Sequence, residues 1–150
     1  MKRVVITGPT GAIGLALINK CIEERIEVLA ICHKGSKRKD RIPAHSLVKV
    51  ISRNLSELKH FEPNDNGFDV FYHLAWEATS GARRDDMLLQ IRNVEYTLDA
   101  VALAKRMGCH TFIGTGTQAE YGRSDGKLSE TSLIKPETGY GIAKFCAGQM

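Results

Sequence analysis

A tyrosine and a lysine near the end of the chain have the types and spacing for proton transfer. Tyr140 and Lys144 are four residues apart in the segment TGYGIAK, so a helix would place both side chains on one side, one turn apart. A free tyrosine has a pKa of about 10, and a neighbouring ammonium group favours the phenolate. Such a pair can exchange protons with an alcohol or a carbonyl group. Taken alone, however, this spacing is more often that of two ordinary surface residues.

A glycine-rich turn near the N-terminus has the pattern of a phosphate-binding loop. The β-branched run Lys2–Thr7 predicts a buried strand and leads into TGPTGAIG, with glycines three residues apart. Such glycines allow a sharp turn, close approach of a pyrophosphate and tight packing of the next helix, whose free N–H groups attract phosphate. The alternative is a plain turn between a strand and a helix. The expected dinucleotide contacts are Gly8, Thr10, Gly11, Ala12, Ile13 and Gly14.

Strand and helix patterns alternate along the rest of the chain. The predicted strands after the first are 27–32, 47–51, 68–75 and 110–115, and the predicted helices are 12–24, 85–107 and one from about residue 138. This alternation predicts right-handed crossovers and an α/β fold with a mostly parallel, doubly wound sheet of about five strands. The runs Val4–Ile6 and Phe112–Ile113 fit strands covered on both faces. The residues of the long helix expected to face inward are Met87, Leu88, Ile91, Val94, Leu98, Val101, Ala102 and Leu103.

Composition excludes several classes of protein. The apolar share is 43%, the charged share is 25% and the net charge is +4, which fits one globular domain and gives no reason to expect nucleic acid as a partner. No apolar run approaches the length of a membrane span, and the absence of a targeting signal leads us to expect a cytoplasmic protein. The four cysteines have no CxxC spacing, so we expect reduced thiols and no metal site.

The end of the second predicted strand bears on the choice of cofactor. Dinucleotide-binding folds often carry an acidic residue there that binds the ribose 2′-hydroxyl. Here the strand ends without Asp or Glu, and the basic side chains His33, Lys34, Lys37 and Arg38 follow. Cations would suit a 2′-phosphate, so NADP(H) is favoured and NAD(H) remains open. A solvated basic loop explains the same residues about equally well.

Taken in order, these motifs resemble those of the extended short-chain dehydrogenase/reductases, the nucleotide-sugar epimerase/dehydratase group. The resemblance rests on a set of segments that spans the whole chain: TGPTGAIG at 7–14, Asn54-Leu55, His73-Leu74-Ala75, Asn93-Val94, Thr117 followed by Tyr121-Gly122, and Tyr140-x-x-x-Lys144. It implies a Rossmann-type domain over residues 1–150.

The resemblance also implies roles for matching residues. Tyr140 would be the general acid/base, Lys144 would lower its pKa and bind the nicotinamide ribose, and Thr117 would hydrogen-bond the substrate oxygen. Asn93 would serve structure and proton relay. Two positions depart from the family pattern. Gln118-Ala119 replaces the Asp-Glu pair of the 4,6-dehydratases, which argues against dehydration, and Trp76 replaces a small residue. The further residues implied to contact the cofactor are Asn54, Leu55, Leu74, Ala75, Trp76, Tyr140 and Lys144.

The function implied by the resemblance is that of an NAD(P)-dependent oxidoreductase acting on nucleotide sugars, as a 4-keto-sugar reductase or an epimerase. A non-catalytic NADP-binding module or regulator is the alternative, as is an inactive fragment of the enzyme. Family members are about twice as long and add further strands and a C-terminal substrate domain. We therefore expect an N-terminal portion with an unpaired edge at the fifth strand. A homodimer through the helices 85–107 and 138–150 is also expected.

Overall fold

The computed structural model describes all residues from 1 to 150, and it contains five strands and three α-helices. The strands are β1 (Arg3–Thr7), β2 (Glu27–Cys32), β3 (Val48–Ser52), β4 (Val70–His73) and β5 (Thr111–Gly114). The helices are α1 (Ala12–Glu23), α2 (Met87–Arg106) and α3 (Gly139–Gln149). Four short 3-10 turns lie at Lys39–Arg41, Leu55–His60, Ala82–Asp85 and Gln118–Glu120.

The five strands form one sheet in the order β3-β2-β1-β4-β5, and every pair is parallel. Val5 on the central strand lies opposite Leu29 on β2 and Phe71 on β4, and Phe71 lies opposite Phe112 on β5. Parallel neighbours require crossover connections, which the helices and loops between strands supply. The doubly wound, Rossmann-type sheet predicted from the alternation of elements is confirmed.

The chain divides into two compact units. The first contains 1–75 and 99–114, and therefore the whole sheet and α1. The second contains 76–98 and 115–150, and therefore α3 and the two 3-10 turns at 82–85 and 118–120. Helix α2 belongs to the second unit up to Leu98 and to the first from Asp99. None of the helices is both long enough and apolar enough to cross a lipid bilayer.

The core of the first unit forms because successive side chains of a strand point to opposite faces of the sheet. Val4 and Ile6 of β1 pack with Ile18 and Cys21 of α1, and all four are buried. Val5 points to the other face and is also fully buried. Both faces of the central strand are therefore covered, as its uninterrupted apolar run predicts.

The orientation of α2 differs from the prediction. Leu88 and Ile91 were expected to face inward, yet they are 70% and 53% exposed. Met87, Leu98, Val101 and Ala102 are exposed as well. Leu103 is buried as predicted, together with Leu89, Gln90, Asn93, Thr97, Ala100, Ala104 and Met107. The reason is that two polar side chains, Gln90 and Asn93, have specific partners in the neighbouring loop and turn this side of the helix inward.

Strand β5 also departs from its expected burial. It pairs only with β4 and so lies at the edge of the sheet. Ile113 is 41% exposed and Phe112 only partly buried, so the prediction that this run is covered on both faces is wrong. Ile13, on the first turn of α1, is 64% exposed.

Candidate functional site

In the turn between β1 and α1, close backbone contacts leave no room for a Cβ atom at two of the three glycines. Gly8 has a φ of 70°, and a Cβ there would lie 2.8 Å from the carbonyl carbon of Leu74. A Cβ on Gly14 would meet the carbonyl oxygen of Gly8 and lie 2.9 Å from Cα of Pro9. At Gly11 the nearest atom would be 3.5 Å away, which is ordinary contact. Gly8 and Gly14 are therefore required by the turn itself, whereas Gly11 is not.

The first turn of α1 has the properties of an anion-binding site. The N-cap residue Gly11 offers no side chain to the helix, and the first turn contains no acidic residue. The first backbone N–H groups of a helix lack partners within the helix and carry the positive end of its dipole. Ala12 and Ile13 are exposed here, and Thr10 is partly exposed. This arrangement fits the pyrophosphate of a dinucleotide, as the glycine pattern predicts.

The strand ends beside this turn are held together by Thr7. Its buried hydroxyl lies 2.9 Å from Nδ1 of His73 and accepts hydrogen bonds from the backbone N–H groups of Leu74 and Ala75, at 3.2 and 3.3 Å. The side chains of Leu74 and Ala75 are half-buried next to Gly8. The two residues predicted to line the cofactor are thus placed at the carboxyl edge of the sheet, where ligands of such folds bind.

An acid from the 55–60 turn, which follows β3, lies against the basic loop after β2, and the sequence pattern did not reveal it. Nζ of Lys34 forms an ion pair with a carboxylate oxygen of Glu57, and the backbone N–H of Lys34 donates to Oδ1 of Asn54 at 3.4 Å. The N–H of Asn54 donates to Glu57 at 2.7 Å. Lys34 and this N–H hold the pKa of Glu57 below its usual value. His33 and Arg38 remain exposed.

In the second unit, the first turn of α3 is fixed on both sides. The hydroxyl of Thr138 caps the helix by accepting from the N–H of Gly141 at 3.0 Å, and the N–H of Gly139 donates to Oδ1 of Asp85 at 3.0 Å. A Cβ on Gly141 would overlap the carbonyl oxygen of Ala119. The start of α3 therefore packs backbone to backbone on the 118–120 turn, which only a glycine permits.

Thr117, at the start of that turn, forms two hydrogen bonds within the turn. Its N–H donates to Oε1 of Glu120 at 2.8 Å, and its hydroxyl oxygen accepts from the N–H of Ala119 at 3.3 Å. The hydroxyl proton remains free to be donated to a further acceptor. This is the state that the predicted role of Thr117, a hydrogen bond to a substrate oxygen, requires.

Tyr140 and Lys144 lie on the first turns of α3, as the TGYGIAK segment predicts. Lys144 is only 8% exposed, and its ammonium group donates to the carbonyl of Thr115. Burial lowers the pKa of Lys144 from its usual value, and the nearby carboxylate of Glu120 opposes this. Tyr140 is partly exposed, and the guanidinium of Arg84 lies 4.9 Å from the centroid of its ring.

Trp76 lies against both of these residues. Nζ of Lys144 is 4.2 Å from the centroid of the indole, and the ring of Tyr140 meets the indole edge-on with centroids 6.1 Å apart. The indole N–H donates to Oε1 of Gln90 at 2.8 Å. Asn93, predicted as a structural and proton-relay residue, bonds both the N–H and the carbonyl of Glu77, at 2.9 and 3.0 Å.

The structure therefore places the predicted residues in two groups. The glycine turn and the strand ends form one group in the first unit, and Tyr140, Lys144 and Trp76 form the other in the second. Sequence reasoning missed Glu57, Gln90 and Arg84. The signal for Gln90 was a pair of amide residues three positions apart in a helix rich in apolar residues, which places them on one face.

A surface cavity of about 730 Å³ lies elsewhere in the first unit. It is bordered by Lys49, Arg53, Phe61 and Phe68, among others, and by none of the predicted site residues. The chemistry of the two groups of residues, rather than the size of this cavity, identifies the candidate functional residues.

Comparison with known proteins identifies the family. A sequence profile of the NAD dependent epimerase/dehydratase family matches residues 4–150, nearly the entire chain. The chain belongs to this family. Its membership confirms the resemblance drawn from the ordered motifs, and it makes the chain part of a family of NAD-dependent enzymes.

Curated relatives of the family act on nucleotide sugars, by their names. The chain is 35% identical over 124 residues to UDP-glucuronic acid decarboxylase 1 of Arabidopsis thaliana. The matched region covers 80% of the chain and 27% of that relative. It is 26% identical over 141 residues to dTDP-6-deoxy-L-talose 4-dehydrogenase (NAD(+)) of Aggregatibacter actinomycetemcomitans, covering 94% of the chain and 51% of that relative. The chain thus spans between about a quarter and a half of these relatives.

Solved structures of the family share the fold. UDP-glucuronic acid 4-epimerase from Bacillus cereus, in complex with NAD, superposes with a TM-score of 0.80 at 23% identity, covering 98% of the chain and 50% of that structure. A UDP-galactose 4-epimerase superposes with a TM-score of 0.83 at 24% identity, covering 97% and 48%. The five-stranded parallel sheet of this chain matches one half of each of these structures.

Proposed function

We propose that this chain carries the dinucleotide-binding turn and the acid–base residues of an oxidoreductase that acts on a nucleotide sugar, as a 4-keto-sugar reductase or an epimerase. The observation that carries this proposal is the placement of Tyr140 one helical turn from Lys144, a cation that is buried and held by the carbonyl of Thr115. Family membership and the names of the relatives support the substrate class.

The acid–base chemistry follows from three side chains. Tyr140 takes the proton of a sugar hydroxyl on oxidation and returns it to the carbonyl oxygen on reduction. Lys144, a buried cation one helical turn along α3, supplies positive charge on the same side of the helix as Tyr140. The free hydroxyl proton of Thr117 stabilises negative charge that develops on the sugar oxygen. When bound, the nicotinamide cofactor supplies the other half of the reaction by accepting or donating a hydride.

Dehydration has no support from the 118–120 turn. Elimination of water needs an acid and a base beside the sugar, and Gln118 and Ala119 occupy the positions where the resemblance places them. Glu120, the remaining acid of this turn, accepts the N–H of Thr117 and completes the cap of the turn. The proposal is therefore limited to reactions that need one proton-exchanging tyrosine.

For the cofactor we infer NAD(H), although the basic loop favoured NADP(H) in the sequence. Lys34 is one of the cations of that argument, and it forms an ion pair with Glu57. The carboxylate of Glu57 also supplies an acceptor near the end of β2, where the strand itself has none. The names of the family and of its NAD-bound structures point the same way. The cations left for a 2′-phosphate would be His33, Lys37 and Arg38.

The reductase and the epimerase differ in how they treat the cofactor. An epimerase returns the hydride to the same sugar and keeps its cofactor through many cycles, whereas a reductase must exchange it in each cycle. Purified protein should be denatured and the released nucleotide measured. Bound NAD(H) at close to one equivalent supports the epimerase, and cofactor-free protein that oxidises added NADH with a 4-keto sugar nucleotide supports the reductase. If neither result is obtained, the alternatives are a non-catalytic module and an inactive fragment of the enzyme.

We further propose a homodimer through α2 and α3, and a cytoplasmic location, both of which stay predictions. Exposed apolar residues on these helices support the dimer. They include Leu88, Ile91, Leu98 and Val101 on α2 and Ile142 on α3. Apolar side chains in a row on one helix are costly in water and are commonly covered by a partner.

A further inference from the structure

The single tryptophan of the chain touches both predicted acid–base residues. Its indole face lies 4.2 Å from Nζ of Lys144, and its ring is nearly perpendicular to the ring of Tyr140, at 87°. A cation over an aromatic face is attracted by the ring quadrupole, and more strongly so where water is excluded. Edge-to-face contact is a favoured arrangement of two aromatic rings. Trp76 is thus placed to fix Lys144 and Tyr140 at the same time.

The loop that carries Trp76 is itself rigidly attached to α2. Gln90 and Asn93 are 0% and 1% exposed, and the side-chain amides of both form hydrogen bonds with this loop. Gln90 accepts from the indole and donates to the carbonyl of Ala78 at 3.2 Å, while Asn93 bonds the backbone of Glu77 on both sides.

Ala78 within this loop has a φ of 56°. Left-handed backbone at a residue other than glycine persists only where the surroundings impose it, and it is concentrated at functional sites. The position of the indole is therefore determined by buried hydrogen bonds and by a constrained backbone. It is not a side chain that happens to rest on the surface.

Charged groups near Lys144 and Tyr140 come from two neighbouring turns. Glu120 of the 118–120 turn acts on Lys144 through its charge but is engaged with the N–H of Thr117. Arg84 of the 82–85 turn lies over the ring of Tyr140. The direct contacts of the Lys144 ammonium group are the carbonyl of Thr115 and the indole face of Trp76.

We propose that Trp76, held by Gln90, is a positioning residue for the Tyr140–Lys144 pair: the indole face seats the charged ammonium group and the indole edge fixes the tyrosine ring. The catalytic meaning of this role rests on the proposed function, but the arrangement itself does not. Because the indole face favours the charged form of Lys144, it opposes the effect of burial. Replacing the indole with an aliphatic side chain should make Lys144 easier to deprotonate.

Trp76 fluorescence provides the first test, since no other tryptophan contributes to it. Emission should change with pH in a transition whose midpoint lies below 10.5, the usual pKa of lysine. The transition should disappear in Lys144→Met and persist in Lys135→Met, an exposed lysine of the same unit. It should also persist in Tyr140→Phe, which excludes the phenolate as its source. A transition that survives in Lys144→Met, or no transition in the wild type, would overturn the proposal.

The second test measures the proton affinity of Lys144 directly, by NMR titration of isotope-labelled lysine side chains. Trp76→Phe, which keeps an aromatic face, should leave the midpoint nearly unchanged. Trp76→Leu should lower it by about one pH unit, a tenfold change in proton affinity. Gln90→Met, which keeps the indole but removes its hydrogen bond, should lower it in the same direction. Equal midpoints in the wild type, Trp76→Leu and Gln90→Met would overturn the role of the ring.

These measurements need neither cofactor nor substrate. Failure of the proposed function would show as absent dinucleotide binding with the titrations intact. Failure of the positioning role would show as an unchanged Lys144 midpoint in a protein that still binds the dinucleotide. Where turnover is measurable, Trp76→Leu should have a lower kcat than the wild type with little change in KM. Trp76→Phe should keep most of the wild-type kcat.

Discussion

Tyr140 is the residue on which the proposed chemistry depends most directly. A phenylalanine at this position keeps the ring contacts with Trp76 and Arg84 and removes only the hydroxyl group. Turnover, followed by nicotinamide absorbance, should fall by roughly 10²–10⁴-fold, the usual contribution of a positioned general acid or base. The fold should be unaffected, since the ring remains.

Tyr121 provides the matched control for this experiment. It lies in the same unit, immediately after the 118–120 turn, and its backbone N–H, not its side chain, contributes to that turn. Tyr121→Phe should retain turnover within a factor of about two to three, within the usual context-dependence of a surface substitution. If Tyr140→Phe and Tyr121→Phe had equal activity, Tyr140 would not be the proton-exchanging group.

The contact between α3 and the 118–120 turn is what brings the helix of Tyr140 to the turn of Thr117. Gly141→Ala places a methyl group against the carbonyl oxygen of Ala119. We expect it to lower the free energy of unfolding by about 1–3 kcal/mol through overpacking. It should also reduce turnover, because the helix has to move away from the turn. Urea denaturation and steady-state kinetics measure the two effects.

Gly148, on the same helix, controls for the introduction of an alanine. A Cβ there meets no atom within 4 Å. Gly148→Ala should be neutral or should stabilise the chain by up to about 1 kcal/mol, because alanine favours the helix more than glycine does. Similar losses of stability in both variants would show that the close contact at Gly141 is not important.

Two glycines of the turn between β1 and α1 have different roles: Gly14 is required by the packing of the turn, and Gly11 is available to a ligand. Gly14→Ala should lower the free energy of unfolding by about 1–3 kcal/mol, since its methyl group meets the backbone of Gly8 and Pro9. Gly11→Ala should cost less than about 1 kcal/mol, the difference between glycine and alanine at an N-cap. Thermal or urea denaturation of the two variants checks this order, and the reverse order would contradict it.

Helix α2 shows which part of an element sequence patterns predict and which they do not. Its extent was predicted to within two residues at each end, because a long apolar periodicity and Gly108 define it. Its inward face was predicted wrongly because hydrophobic periodicity counts amides as polar. Gln90 and Asn93 are buried since each finds hydrogen-bond partners in the loop 76–78. That pairing depends on tertiary structure and cannot be read from spacing alone.

At the scale of the whole molecule, the order of motifs was sufficient to predict the doubly wound sheet and the family. The glycine turn, the strand ends and the Tyr140–Lys144 helix are local features, and local chemistry determines them. The partner of Lys34 was not predictable in the same way, because Glu57 is more than twenty positions away and is brought there by the pairing of β2 with β3. The preference for NADP(H) rested on the absence of an acid at the end of β2 and on the cations that follow it, one of which pairs with Glu57.

The proposed homodimer rests on the outward apolar face of α2. We expect the chain to elute with twice its monomer mass of 16.6 kDa in size-exclusion chromatography with light scattering. Ile91→Asp, on this face, should shift it towards the monomer, since a charge is costly in an apolar interface. Arg92→Asp, at the adjacent exposed position, should not. A wild-type chain that is monomeric at high concentration would contradict the proposed dimer.

The most direct test of the account is a titration of the purified chain with NADH and with NADPH, followed by nicotinamide fluorescence. We expect saturable binding of NADH, weaker binding of NADPH, and loss of both in the folded Gly11→Ala variant, because a methyl group at the N-cap of α1 would block access to the helix N–H groups proposed to bind the pyrophosphate. Tighter binding of NADPH would overturn the inference drawn from the Lys34–Glu57 pair. Absence of binding by either nucleotide, or equal binding by the wild type and Gly11→Ala, would contradict the claim that the turn between β1 and α1 is a dinucleotide site.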